Sequence, residues 1–301
     1  MKLVRLAAAA ALVLAVSATS ARADDIKATA RTVAQKTQKA IVTARIVLKI
    51  TTGESEREQK LDVTGTMIDA SGLTVVPAAA VEPTSVAGRM GGGGDQMRVE
   101  AEISETLIVL EDGTELESDV VLKDADLDLA FIRPRDTKGQ KLDFVDLKAG
   151  ATAQMLDDVF VVGRLGRVAN RAVSVSTGTV KSVVKGPRSF YICDSEVSSG
   201  NLGCLVYAAD GSALGIFVTR TVRSEGAGGG AGFRGRGETA VVVRPVADLM
   251  ELAKQALAAK APEKKKTDGD EDGEKKSEKK DEKKDDKKPT KPDEKKKGDD
   301  F

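Results

Sequence analysis

The sequence lacks histidine entirely, lacks tryptophan, and holds only two cysteines in 301 residues. Aromatics make up 3% of it, and its 47 basic residues are balanced by 47 acidic ones. Each scarcity excludes something. Without histidine there is no Ser-His-Asp or Cys-His catalytic set and no His-bearing zinc site. With so few aromatics there is no stacking platform for single-stranded nucleic acid. A net charge of zero argues against a generic polyanion binder. No nucleic-acid partner and no cofactor is therefore expected.

The charge is unevenly spread. Residues 261–301 hold 15 Lys and 15 Asp or Glu, so 30 of these 41 are charged and the other 260 carry 64. The latter fraction is that of an ordinary globular protein, about a quarter. Residues 262–301 have no apolar side chain except Phe301. Such a segment cannot bury a core and is expected to be a disordered tail. It reads as a solubilising spacer or, more sharply, as an electrostatic tether to envelope polymers.

The first residues read as an export signal. Lys2 and Arg5 precede the apolar run Leu6–Val16, and Ala21-Arg22-Ala23 fits a small-residue cleavage site. That run is too short to span a bilayer, which needs about 20 residues. The expected organisation is a signal peptide at 1–23, a folded domain at 24–260 and the tail at 261–301. The mature protein is expected to be periplasmic or secreted, with no transmembrane segment. In an oxidising compartment Cys193 and Cys204 form either a disulfide or two buried free thiols.

Strand signals fill the body. Short β-branched or alternating runs are expected to form strands at Ile41–Ile50, Gln59–Ile68, Leu73–Val76, Thr106–Leu110, Glu115–Val121 and Leu129–Ile132. Asp112-Gly113 marks a hairpin turn between the fourth and fifth. Further strands are expected at Val159–Val162, Ala172–Val184, Phe190–Ile192, Cys204–Tyr207, Ala213–Val218 and Thr239–Val243. Helical periodicity marks Ala28–Ala40 and Pro245–Ala258. Glycine-rich stretches at Gly91–Gly94 and Gly226–Gly237 lack phosphate-loop spacing and read as surface loops. The expected fold is all-β, a barrel or sandwich with a short helix at each end.

Three segments in this order carry a resemblance. The first is Thr64-Gly65-Thr66-Met67-Ile68-Asp69-Ala70-Ser71-Gly72-Leu73-Thr74-Val75-Val76-Pro77-Ala78-Ala79-Ala80-Val81. The second contains Asp124-Ala125-Asp126-Leu127-Asp128-Leu129-Ala130-Phe131. The third is Asp194-Ser195-Glu196-Val197-Ser198-Ser199-Gly200-Asn201-Leu202-Gly203-Cys204. Together they resemble the trypsin-like domain of the bacterial HtrA/Deg serine proteases, without the PDZ domain that usually follows. The resemblance implies two six-stranded β-barrels with the active site in the cleft between them. It places the family's general-base histidine at Ala79, its aspartate at Asp128 and its nucleophilic serine at Leu202. The backbone N–H groups of Gly200 and Leu202 fall where the family forms an oxyanion hole.

On that alignment the residues present are not catalytically competent. A serine hydroxyl needs a neighbouring base to become nucleophilic. Alanine supplies no base and leucine no nucleophile; losing either group costs on the order of 10⁶ in turnover in a well-studied unrelated protease. The resemblance therefore implies a pseudoprotease that binds a protein or peptide in the inter-barrel cleft. The alternative is an active serine endopeptidase with an unorthodox site, for which Ser198 and Ser199 are the nearest hydroxyls and a lysine would have to serve as base.

Overall fold

The computed structural model describes residues 25–52, 55–82, 99–148, 150–186, 188–222 and 238–259. The signal-peptide, glycine-loop and tail expectations, at 1–23, 91–94, 226–237 and 261–301, lie outside these residues.

Among the described residues twelve strands form, at the twelve places where the pattern predicts them. β1 (Ile41–Thr52), β2 (Ser55–Met67), β3 (Thr74–Pro77), β4 (Val99–Val109), β5 (Glu115–Asp124) and β6 (Leu129–Pro134) close into one antiparallel barrel. β7 (Asp158–Arg164), β8 (Val173–Val184), β9 (Phe190–Cys193), β10 (Leu205–Ala208), β11 (Ala213–Val222) and β12 (Glu238–Pro245) close into a second. Both run in the order first, second, third, sixth, fifth, fourth, so the chain repeats one topology twice. Closure pairs each strand on both sides over at least part of its length, and it sends alternate side chains inward along every strand. In β1 this places Val42, Ala44, Ile46, Leu48 and Ile50 in the core.

Helix α1 (residues 25–37) runs into a 3-10 turn, Gln38–Ala40, at the start of β1. A four-residue α2 (Ser195–Ser198), which periodicity does not announce, links β9 towards β10. Helix α3 (Val246–Ala258) begins directly after Pro245 and buries Val246, Leu249, Leu252 and Ala256. Proline suits that place because an N-terminal position needs no intrahelical N–H donor. The helix packs on β11 and β12 of the second barrel and on β5 and β6 of the first. Arg133 fixes its far end by donating from Nη1 to the Leu257 carbonyl at 3.2 Å and from Nη2 to the Ala259 carbonyl at 2.8 Å. Among the described residues no helix is long and apolar enough to cross a membrane.

Charged groups hold the barrels together on one side. Asp62 of β2 accepts from Arg45 Nε at 2.9 Å, Arg167 Nη2 at 2.7 Å and Arg171 Nη2 at 3.0 Å, the last two from the second barrel. Burial works against the Asp62 charge, but the hydrogen bonds from Arg45, Arg167 and Arg171 hold its carboxyl down at about 2. Arg164 adds donations from Nε to the Ile41 carbonyl at 2.6 Å and from Nη2 to the Gln38 carbonyl at 2.7 Å.

The Asp62 pKa is lower in the folded than in the unfolded chain, so its contribution is complete above the unfolded value of about 4. It fades as pH falls from there through the folded value of about 2. We expect Asp62→Ala to cost about 1–2 kcal/mol at pH 7, discounted for the partial exposure of the arginines. That difference should vanish near pH 2, and urea titrations at both pH values check it. A loss independent of pH would mean that the ion cluster is not its source.

Candidate active-site cleft

Asp128 lies in the turn between β5 and β6, buried, with a left-handed φ of 54°. Aspartate tolerates this region better than most residues because its short polar side chain bonds locally. Its backbone carbonyl accepts from Ala78 N at 3.0 Å, and its Oδ1 accepts from Ala79 N at 2.9 Å. Its Oδ2 reaches the second barrel, accepting from Thr219 N at 2.8 Å and from the Thr219 hydroxyl. The carboxylate thus joins the 3-10 turn Ala78–Ala80, which follows β3, to strand β11.

The loop after β9 is built from its own polar residues. Asp194 caps α2, its Oδ1 accepting from Val197 N at 3.3 Å while its Oδ2 accepts from Thr179 N at 2.8 Å. Buried Asn201 donates from Nδ2 to the Val197 carbonyl at 2.7 Å. Gly200 and Gly203 take the left-handed conformation, with φ of 75° and 81°. Among the described residues the backbone N–H groups of Gly200 and Leu202 have no protein acceptor.

This loop seats against the first barrel. Thr66 donates from its hydroxyl to the Gly203 carbonyl at 2.9 Å, and Gly203 N donates to the Phe217 carbonyl at 2.9 Å. A Cβ at Gly203 would stand 2.2 Å from the Thr64 carbonyl oxygen and 3.1 Å from Pro77 Cδ. The turn carrying Leu202 therefore abuts the segment that leads into Ala79. The fold brings Ala79, Asp128 and the Gly200–Gly203 turn together where the barrels meet. Thr219 and Thr66, which hold the arrangement, carry no local signal. Thr219 lies one residue beyond the strand expected at Ala213–Val218.

Of the two alternatives for Cys193 and Cys204, a disulfide or two buried free thiols, the structure has the thiols: both are free and buried. Cys193 ends β9, whose neighbours are β8 and β12; Cys204 precedes β10, whose neighbours are β7 and β11. α2 and its turn carry the chain between strands that are not partners, so the two residues do not face across a hairpin. Burial pushes both thiols up to about 12, with the Asp194 charge adding to it at Cys193. We expect no reaction of the native protein with a thiol-disulfide reagent at pH 8 and two thiols released on denaturation. Rapid labelling of the native chain would contradict that burial.

Among the described residues no group of three or more Cys, Asp or Glu side chains is placed to hold a metal ion. A cavity of about 610 Å³ lies away from the cleft, lined by Asp25, Ile26, Asp157, Ala208 and Asp210 among others, and includes no residue of the site.

No curated protein matches the chain. A family model does. It is described as trypsin-like peptidase domain, and it matches residues 24–216, more than half of the sequence. The match spans the first barrel, Asp128 and the Gly200–Gly203 turn, and the two closed six-stranded barrels are the fold that this resemblance implies. The chain therefore belongs to the trypsin-like peptidase domain family.

Proposed function

We propose that this protein is an exported, catalytically inactive trypsin-like domain that holds an extended protein segment in the cleft between its barrels. The observation that carries the reading is chemical. Beside Asp128 stands Ala79, and the turn that abuts that region presents Leu202, so neither position offers a base or a nucleophile. The trypsin-like frame remains and the reacting atoms do not.

Strand β11 supplies a surface for such a segment. Its pairing with β10 ends early, covering Leu205–Tyr207 opposite Ala213–Ile216. Phe217 then bonds to Gly203 and Cys204 on that side, and Thr219 N bonds to Asp128. Alternation along the strand turns the Thr219 carbonyl and both backbone groups of Thr221 to the same side, away from β12. Among the described residues those groups have no partner there. A short open edge of this kind accepts an extended peptide by main-chain hydrogen bonds.

A fluorophosphonate probe tests inactivity directly. No serine of the purified protein should be labelled; labelling of Ser198, Ser199 or any other serine would support an unorthodox peptidase and overturn this reading. For the edge, Thr221→Pro should weaken peptide binding about tenfold by removing one donor.

A further inference from the structure

We infer that Arg220 and Arg244, gathered about Phe190 beside the open edge of β11, form with Arg188 a receptor for a carboxylate, so that the segment bound there carries an acidic side chain. This rests on the peptide-edge reading above and names the chemistry of its ligand.

The Arg220 and Arg244 guanidinium groups converge because of strand alternation. Phe217 and Val243 point into the core of the second barrel, so Ile216, Val218 and Arg220 of β11 and Val242 and Arg244 of β12 occupy its outer face. Phe190 of β9 lies on that face too. The Arg220 guanidinium stands 4.7 Å from the Phe190 ring centroid and that of Arg244 5.7 Å. Stacking on one ring orients Arg220 while leaving its in-plane donors available.

These donors are under-used. Arg244 is 3% exposed, and its Nη2 donates to the Asp126 carbonyl at 3.3 Å, yet Nε and Nη1 are buried without a protein partner. A buried donor left unpaired is destabilising, because its hydration has been lost and nothing replaces it. Among the described residues neither the Arg220 nor the Arg188 side chain makes an ion pair or hydrogen bond. Asp248 and Asp124 attract Arg244, but Arg220 and Arg188 repel it. Burial is the larger influence, and with that repulsion it lowers the Arg244 pKa. At Arg244 the two neighbouring arginines thus oppose the two carboxylates, and its own charge is one that an incoming anion would offset.

The position selects the source of that anion. Arg220 lies between Thr219 and Thr221, whose open backbone groups would bind the peptide. A strand added there places alternate side chains on the Arg220 face, with directly opposed Cβ atoms about 4.5–5.5 Å apart. The residue opposite Arg220 on the other side is Ala240, too short to reach the guanidinium plane. A glutamate on the added strand can receive the fork of Arg220 with two hydrogen bonds.

The test uses the full chain and fluorescence anisotropy. The probes are acetylated, amidated, labelled octapeptides of alternating valine and threonine, with one Glu, Gln, Lys or phosphoserine moved through the positions. At one position the Glu peptide should bind about tenfold tighter than its Gln counterpart, with Lys weaker than Gln and the preference shrinking at high salt. Arg220→Ala should abolish the Glu preference while leaving Gln-peptide affinity within about twofold, and Arg220→Lys should retain part of it. Arg188→Ala, at an exposed position, should reduce the preference without touching the fold. Equal Glu and Gln affinities, or binding of phosphoserine alone, would overturn the inference; if that binding still fell with Thr221→Pro, the peptide edge would stand. A Glu preference untouched by Thr221→Pro would support the receptor and remove the edge. No binding of any peptide would overturn both.

Discussion

Gly203→Ala is expected to destabilise the protein by about 3–5 kcal/mol, and Gly200→Ala by only about 1–2 kcal/mol. Both glycines have left-handed backbones, so both substitutions carry the conformational cost of placing a side chain at positive φ, about 1–2 kcal/mol. The difference lies in their surroundings. A Cβ at Gly200 meets nothing within 4 Å, whereas one at Gly203 stands 2.2 Å from the Thr64 carbonyl oxygen. That neighbour is backbone paired within β2, so relief requires the turn to move off the first barrel. Moving it breaks the bond from Thr66 to the Gly203 carbonyl and the bond from Gly203 N to Phe217, each worth about 1 kcal/mol. Urea titration should show a lower midpoint for Gly203→Ala with an unchanged slope. Equal losses at the two glycines would mean that the turn is not seated on the first barrel as described.

Asp128→Ala is the second large effect, expected to cost about 3–4 kcal/mol. It removes one charged acceptor that serves three donors, Ala79 N, Thr219 N and the Thr219 hydroxyl. It leaves them without that acceptor where the barrels meet, and water replaces it poorly at a site only 8% exposed. Alanine is also the poorer residue at a φ of 54°. Asp128→Asn should cost about half as much: the amide oxygen still accepts from one side, but its NH₂ faces donors on the other. Thr219→Val should lose about 1 kcal/mol, through the hydroxyl bond alone. A double-mutant cycle between Asp128→Ala and Thr219→Val measures the coupling directly. A cost under 1 kcal/mol for Asp128→Ala would show that this acid does not clasp the barrels.

The two predictions show where local pattern stops. Valine and serine alternate at Val173–Ser176, and Thr74–Pro77 is an apolar run; each reports a strand because side-chain direction repeats every two residues. The observed strands depart from expectation mainly at their ends. β2 starts at Ser55 rather than Gln59, and β11 continues to Val222 rather than stopping at Val218. The polar residues in those extensions pair through the backbone and do not need burial, so hydrophobic pattern does not see them. α2 went unannounced for a related reason: four residues capped by Asp194 are too few to show a 3.6-residue period.

What the sequence by itself determined is composition and order. The lack of histidine, the charge concentrated in 261–301, the twelve strand runs and the three family-like segments are all legible in one dimension. Only the tertiary structure decided which of those elements touch. Cys193 and Cys204 lie eleven positions apart, yet one ends β9 and the other precedes β10, strands that are not partners. Asp128 and Thr219 lie 91 positions apart and share hydrogen bonds. Arg220 and Arg244 lie 24 positions apart and meet about Phe190. Strand period is a property of neighbouring residues, whereas pairing across a closed barrel follows from the order in which strands close. That order brings distant residues together through hydrogen bonds between backbones, which carry no side-chain signature.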